Sequence, residues 1–232
     1  PKKASRNKPN RSYNHVTRNK QAAMKHRKNI ELPIVQFWMQ GSPPSPIHEF
    51  IEAWHDSFRV RHFLFDDEMA IDFIKKNFDA EILTAYESCN IPAMRADYFR
   101  YCYLYVNGGV YVDADVELKN GEFFDEASCR GLLFIRNGNI ANDFMVVTQA
   151  EDPLIQRILE AATSNISSRA GTNVWAVTGP GIATHLKKID DGLFSGFNIV
   201  SIEEVSKYVR FVGGLDYKRT DVHWTLRKDL FK

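Results

Sequence analysis

The chain has 232 residues, of which 44% are hydrophobic and 12% aromatic, and a net charge of +1. That length supports one large domain with a sizeable core, and no apolar run reaches the roughly eighteen residues of a membrane-spanning helix. Cys89, Cys102 and Cys129 are too few and too scattered for a disulfide framework or a zinc site, and no apolar leader opens the chain, so reduced thiols in the cytoplasm are expected.

Residues 1–30 hold ten of the thirty Lys/Arg and no Asp or Glu. The rest of the chain therefore holds the other twenty basic residues and all twenty-nine acidic ones, a net of −9. A basic segment poor in large apolar residues predicts a flexible tail. Three readings stay open: attraction to anionic lipid heads at the inner face of a membrane, attraction to a polyanionic partner, or a solvated extension that keeps the protein soluble. Nucleic acid is not expected as a partner, because the body is acidic.

The domain body begins near Glu31. "LPIVQFWM" (32–39) is a short β-branched and aromatic run, suited to a buried strand. "QGSPPSP" (40–46) breaks it. "IHEFIEAWHDSF" (47–58) places Ile47, Phe50, Ile51, Trp54 and Phe58 at helical spacing. "VRHFLFD" (60–66) alternates as a second strand. "DEMAIDFIKKNF" (67–78) reads as a helix with acids in its first turn and lysines near its end. Strand–helix alternation predicts an α/β fold with a mixed, mostly parallel sheet flanked by helices. One domain is expected over 31–232. His48, His55 and His62 read as surface or helix residues.

"IPAMRADYFRYCYLYVNGG" (91–109) reads as a helix with Pro92 in its first turn and a Gly108-Gly109 stop. Asp97, Arg100, Tyr101 and Leu104 share one face. "VYVDADVEL" (110–118) then reads as a strand, and alternation puts Asp113 and Asp115 on one side of it. Two like charges there need an explanation. A divalent metal, a basic partner such as Arg100, or simple solvation would each provide one. Ligand sites in α/β sheets lie at the carboxyl ends of strands, which favours the first.

The block 91–118 resembles the D-x-D sugar-transferase signature of the glycosyltransferase family 32 type, in which a helix with Asp-x-x-Arg-Tyr and a Gly-Gly turn lead into Asp-x-Asp. "LPIVQFWMQG", "NDFMVVTQAEDPLIQRILE" and "TGPGIATHL" are similar to further segments of that family. The resemblance covers most of residues 32–225. It implies a GT-A, Rossmann-like fold and metal-dependent, retaining transfer from a nucleotide-sugar. Under it, Asp113 and Asp115 hold Mn²⁺ or Mg²⁺ against the diphosphate, and Asp97 and Arg100 contact the donor sugar and phosphate. Gln36 and Trp38 lie by the base. Asn142 and Asp143 lie near the donor sugar. His223 is a third metal ligand or diphosphate contact, and Trp224 is a donor-side wall. Val35 stands where the family usually has His, and Ala96 where it has Ser.

Several of these residues carry plainer readings too. Asn142 and Asp143 could cap a helix. The segment 221–231 could simply dock a Trp into the core. Thr178-Gly-Pro-Gly181 could cradle a phosphate or merely start a helix. Glu117 reads as solvated or paired with Lys119. The function expected is transfer of a sugar from a UDP- or GDP-sugar to a glycan or lipid-linked acceptor, in surface polysaccharide synthesis. Two rivals from other classes are a catalytically inactive sugar-binding module and a metal-dependent phosphohydrolase.

Overall fold

The computed structural model describes residues 32–39, 42–58, 61–123, 130–215 and 229–232. In chain order the first half gives β1 (Ile34–Phe37), α1 (Ser45–Phe58), β2 (His62–Phe65), α2 (Asp67–Asn77), α3 (Ala80–Ser88), α4 (Pro92–Asn107), β3 (Gly109–Val112) and β4 (Val116–Leu118). The second half gives β5 (Gly131–Arg136), β6 (Asn139–Ile140), β7 (Phe144–Val147), α5 (Pro153–Ser167), α6 (Val174–Val177) and α7 (Pro180–Ile189). It ends with β8 (Phe197–Ser201), α8 (Ile202–Val205) and β9 (Val209–Phe211).

The main sheet has seven strands in the order β2-β1-β3-β7-β5-β6, with β8 also paired to β5. β2, β1 and β3 are mutually parallel. β7 runs against β3 and β5, so β5 points the same way as β3, and β8 follows β5. Only β6 and β7 are reversed. The sheet is thus mixed and mostly parallel, with helices flanking it, as the alternation of elements leads one to expect. β1, β3 and β7 are buried along their whole length, which fits their near-continuous apolar sequences.

α4 is the central helix. Ten of its residues are buried, so it is covered almost all round. Pro92 opens it and the Gly108 backbone N–H closes it on the Leu104 carbonyl. Gly108 and Gly109 have φ of +62° and +109°, and a Cβ on Gly109 would stand 2.6 Å from the Pro33 carbonyl oxygen. The helix stop therefore also lets β3 start tight against the entry to β1. α2, α3 and α5 are capped by Asp66, Asp79 and Asp152, whose side chains each accept a hydrogen bond from a first-turn N–H. α1 lies with Ile47, Ile51 and Trp54 buried, and the Trp54 indole donates to the Val116 carbonyl at 2.9 Å.

Three expectations are corrected here. First, "VYVDADVEL" is not one strand. It breaks at Asp113–Asp115, where the Val116 N–H donates to the Asp113 carbonyl at 3.0 Å. β3 stays in the main sheet, while β4 pairs with β9 in a separate two-stranded sheet. Strand alternation therefore does not set the direction of the two acids. Second, the apolar run after Asn142 and Asp143 is strand β7, so these residues cap no helix. Third, His62 is buried in β2, because its ring hydrogen-bonds Gln36 across the parallel pair at 2.8 Å. Near the end of the chain, Leu230 and Phe231 dock beside Cys89 and Asn90.

Candidate functional site

Parallel strands bring their carboxyl ends to one edge of the sheet, and a reversed strand brings its start there. At that edge β1 delivers Trp38, β3 delivers Asp113, β5 delivers Arg136, and the start of β7 delivers Asn142 and Asp143. The backbone stitches the edge together: the Asp113 N–H donates to the Asp143 carbonyl at 2.9 Å. Trp38 packs on the cluster that includes Ala114, the residue between the two aspartates.

Behind the edge lies a buried ionic centre. The Arg100 guanidinium meets Asp97 at 3.0 Å and Asp113 at 3.1 Å, and donates to the Asn142 carbonyl and to Ala96. It also stacks over the Tyr111 ring, 4.3 Å from its centroid. The Asn142 amide donates to Asp97 and to the Tyr101 hydroxyl, both at 2.9 Å. The Thr178 hydroxyl donates to the other Asp97 oxygen at 3.1 Å, and the Tyr101 hydroxyl donates to the Thr178 carbonyl at 3.0 Å. The Tyr111 hydroxyl donates to Asp113 at 2.9 Å. Gln36 completes the set: its Oε1 accepts from the His62 ring and its Nε2 donates to the Asp113 carbonyl at 3.4 Å.

Burial sorts these residues. Asp97, Arg100, Asn142, Thr178 and Gln36 are enclosed, while the Asp113 side chain keeps 30% of its surface exposed. Desolvation pushes the Asp113 carboxyl up to about 7, with Arg100 opposing the push and Asp115, Asp143 and Asp97 adding to it. Desolvation also raises Asp97 and Asp143. For Arg100, burial works against the charge, but Asp113, Tyr111 and Asp97 outweigh it and hold the guanidinium protonated.

In front of the edge is an open cavity of about 230 Å³, lined by Asp115, Val116, Arg136, Asp143, Phe211, Val212 and Gly213. Arg136 pairs with Asp143 at 2.6 Å.

Residues 8–122 match the family model described as a glycosyltransferase sugar-binding region containing a DXD motif. That stretch resembles the DXD-containing sugar-binding region of glycosyltransferases. An uncharacterized glycosyltransferase, L373, of Acanthamoeba polyphaga mimivirus is 34% identical over 86 residues, 36% of this chain and 34% of that relative. The chain thus spans about a third of the length of the curated relative it matches. The solved structure of PaToxG glycosyltransferase is 16% identical, with a TM-score of 0.49 over 78% of this chain and 80% of that one.

The structure separates the predicted site residues into two groups. Asp113, Asp115 and Asp143 lie at the open edge, with Trp38 beside them. Asp97, Arg100, Asn142 and Gln36 form the support behind it, each bonded to protein. His223 and Trp224 lie outside the described residues. Glu117 does not pair with Lys119, because the β4–β9 ladder sets it opposite Arg210, to which it is ion-paired. Arg136 and Phe211 were not legible as site residues: their strands meet the aspartates only through sheet register. The one local signal was "RNGN" (136–139), a two-residue hairpin with positive φ at Asn137 and Gly138 that fixes where Arg136 stands.

The edge suits a hard divalent cation. Asp113, Asp115 and Asp143 stand at the open edge, and carboxylate oxygens are the donors such a cation prefers. Among the described residues no three His, Cys, Asp or Glu side chains cluster as a metal cage. The edge therefore offers part of a coordination sphere, the kind that a substrate phosphate and water complete.

Proposed function

We propose that the chain transfers a sugar from a nucleotide-diphospho-sugar to a hydroxyl of a glycan or lipid-linked acceptor, with Mn²⁺ or Mg²⁺ held by Asp113 and Asp115 and with retention of configuration. The observation that carries this reading is the Asp113–Asp115 turn at the carboxyl edge of the sheet, where the Asp115 and Asp143 carboxylates line an open cavity. When bound there, the cation would supply charge neutralisation for the departing diphosphate.

The chain's own residues do the rest. Arg100 does not reach the cavity; it clamps Asp97 and Asp113 and so fixes the first acid of the motif. Tyr111 holds the same carboxylate from the strand side. Asn142 and Thr178 orient Asp97, which in turn holds Arg100. Preorganised in this way, the edge does not have to rearrange as charge develops on the leaving group. Trp38 gives the base a flat apolar neighbour beside Ala114. The donor is a UDP- or GDP-sugar in this reading, and the product belongs to surface polysaccharide. No described helix is long and apolar enough to cross a membrane. Contact with anionic lipid falls to the basic residues 1–30, in a cytoplasmic enzyme peripheral to the inner face.

The test is a thermal-shift panel of UDP-glucose, UDP-galactose, UDP-N-acetylglucosamine and GDP-mannose, with and without Mn²⁺, followed by turnover on the hits. One donor should stabilise the protein in a Mn²⁺-dependent way. Asp115→Asn should abolish transfer while leaving the thermal midpoint in EDTA unchanged. Full turnover in EDTA or in that variant overturns the metal assignment, and binding without any turnover identifies an inactive binding module. Deleting residues 1–28 should abolish sedimentation with phosphatidylserine vesicles; undiminished sedimentation removes the membrane contact.

A further inference from the structure

We propose that His62 is a positioning residue for the Asp113–Asp115 turn: acting through Gln36, it fixes the main chain from which both acids project. This role rests on the reading that the turn holds Mn²⁺ or Mg²⁺, and it falls to a residue outside both the turn and the cavity.

The turn is held by its main chain as well as by its side chains. It closes on itself through the Val116 N–H, which donates to the Asp113 carbonyl at 3.0 Å. At one end the Trp54 indole of α1 donates to the Val116 carbonyl at 2.9 Å. At the other end the Gln36 amide donates to the Asp113 carbonyl at 3.4 Å, the longest of the three contacts. Arg100 and Tyr111 act on the Asp113 carboxylate instead. Gln36 is thus how β1 takes hold of the turn's backbone.

His62 decides which way Gln36 faces. A side-chain amide has two ends of opposite polarity, and a half-turn about its last bond exchanges them. The Asp113 carbonyl can only accept, so it requires the NH₂ end. The oxygen end then faces His62, whose Nε2 stands 2.8 Å from Gln36 Oε1. That oxygen also can only accept, so His62 Nε2 must carry a proton. Burial, with His55 nearby, lowers the His62 pKa to about 4, so near neutral pH the ring holds one proton and commits it to Nε2. Without that donor the amide oxygen is a buried acceptor left unsatisfied, and a reversed amide sets it against the Asp113 carbonyl. Sheet register makes the contact. β1 and β2 are parallel, with Ile34 opposite His62 and Gln36 opposite Leu64. Gln36 and His62 are therefore diagonal neighbours on one face. Both are buried, and Gln36 is 0% exposed, so protein groups alone set its orientation.

Two measurements test the role. The first needs no metal: the full chain with ¹⁵N-labelled histidine is examined by NMR in EDTA near neutral pH, and the His62 signals are assigned by their loss in His62→Gln. A protonated Nε2 and a bare Nδ1 are expected. A bare Nε2 overturns the proposal, because Gln36 would then turn its oxygen to Asp113. The second is calorimetric titration with Mn²⁺, with thermal midpoints in EDTA to show that each variant is folded. His62→Leu removes the donor and should weaken Mn²⁺ binding about 3- to 10-fold, the worth of one hydrogen bond. His62→Gln supplies an amide donor in its place and should recover most of that loss. Gln36→Leu should weaken binding as His62→Leu does, and the double variant should lose no more than either alone, since His62 acts only through Gln36. Unchanged Mn²⁺ affinity in folded His62→Leu overturns the positioning role and leaves the metal site standing, and so do additive losses in the double variant. A native protein that binds no Mn²⁺ refutes the metal reading, and the role falls with it. Should His62→Leu fail to fold, the tautomer of the native ring decides.

Discussion

At the scale of single residues, Arg100 is the most heavily committed side chain at the edge. It is 3% exposed and bonded to two acids, two carbonyls and a ring face. Buried pairs of this kind are costly to break from one side, because the remaining charge has no water to turn to. Arg100→Met leaves Asp97 and Asp113 facing each other without a cation, and should lower unfolding free energy by about 3–5 kcal/mol. Thr178→Val removes one of three hydrogen bonds to Asp97 and should cost about 1–3 kcal/mol. Urea titration of both variants checks the order. If Arg100→Met unfolds at the native midpoint, the ionic centre does not hold the edge, and Arg100 is free to act on substrate directly.

At the scale of elements, two junctions set where the aspartates stand. At the first, α4 turns into β3 through Gly109. Its φ of +109° strains any side chain, and its Cβ would collide with Pro33. Gly138 also has positive φ, +76°, but a Cβ there meets nothing within 4 Å. Gly138→Ala should therefore cost about 1 kcal/mol and Gly109→Ala clearly more, about 3 kcal/mol or above, because strain and collision add. Thermal unfolding of the two variants measures the difference. At the second junction, His62 in β2 holds Gln36 in β1. Burial, with His55 nearby, lowers the His62 pKa from 6.5 to about 4. The unfolded chain takes up the proton first as pH falls, so stability should drop between about pH 6.5 and 4 and level off below. His62→Asn should flatten unfolding free energy against pH across that window; an unchanged slope would show that His62 is not the group responsible.

These junctions also show what the sequence could and could not reveal. Gly108-Gly109 punctuates strongly, and Asp97 and Arg100 lie three apart on one helix, so the helix, its stop and the acid–arginine pair were legible locally. The break inside "VYVDADVEL" was not. Its two halves pair with β1 and β7 on one side and with β9 on the other. Those partners come from far along the chain, and local alternation carries no trace of them. His62 and Arg136 escaped for the same reason, since each gains its role from a strand neighbour.

At the scale of the whole molecule, folding gathers charge that the unfolded chain keeps apart. Residues after 30 carry a net of −9, and folding brings Asp113, Asp115 and Asp143 together at the sheet edge, with Asp97 behind them. A cation that binds the collected acids binds the folded state and not the unfolded one, so it must stabilise by mass action. At a hundredfold excess over its dissociation constant the gain is about 2.7 kcal/mol, which for a domain of this size is about 5–10 °C in thermal midpoint. Mn²⁺ should produce that shift, and KCl at equal ionic strength should not, because screening acts weakly on partly buried charges. Asp115→Asn should lose most of the Mn²⁺ shift, whereas removing residues 1–28 should leave it intact, since that segment contributes no carboxylate. A Mn²⁺ shift of full size in Asp115→Asn would place the cation away from the Asp113–Asp115 turn.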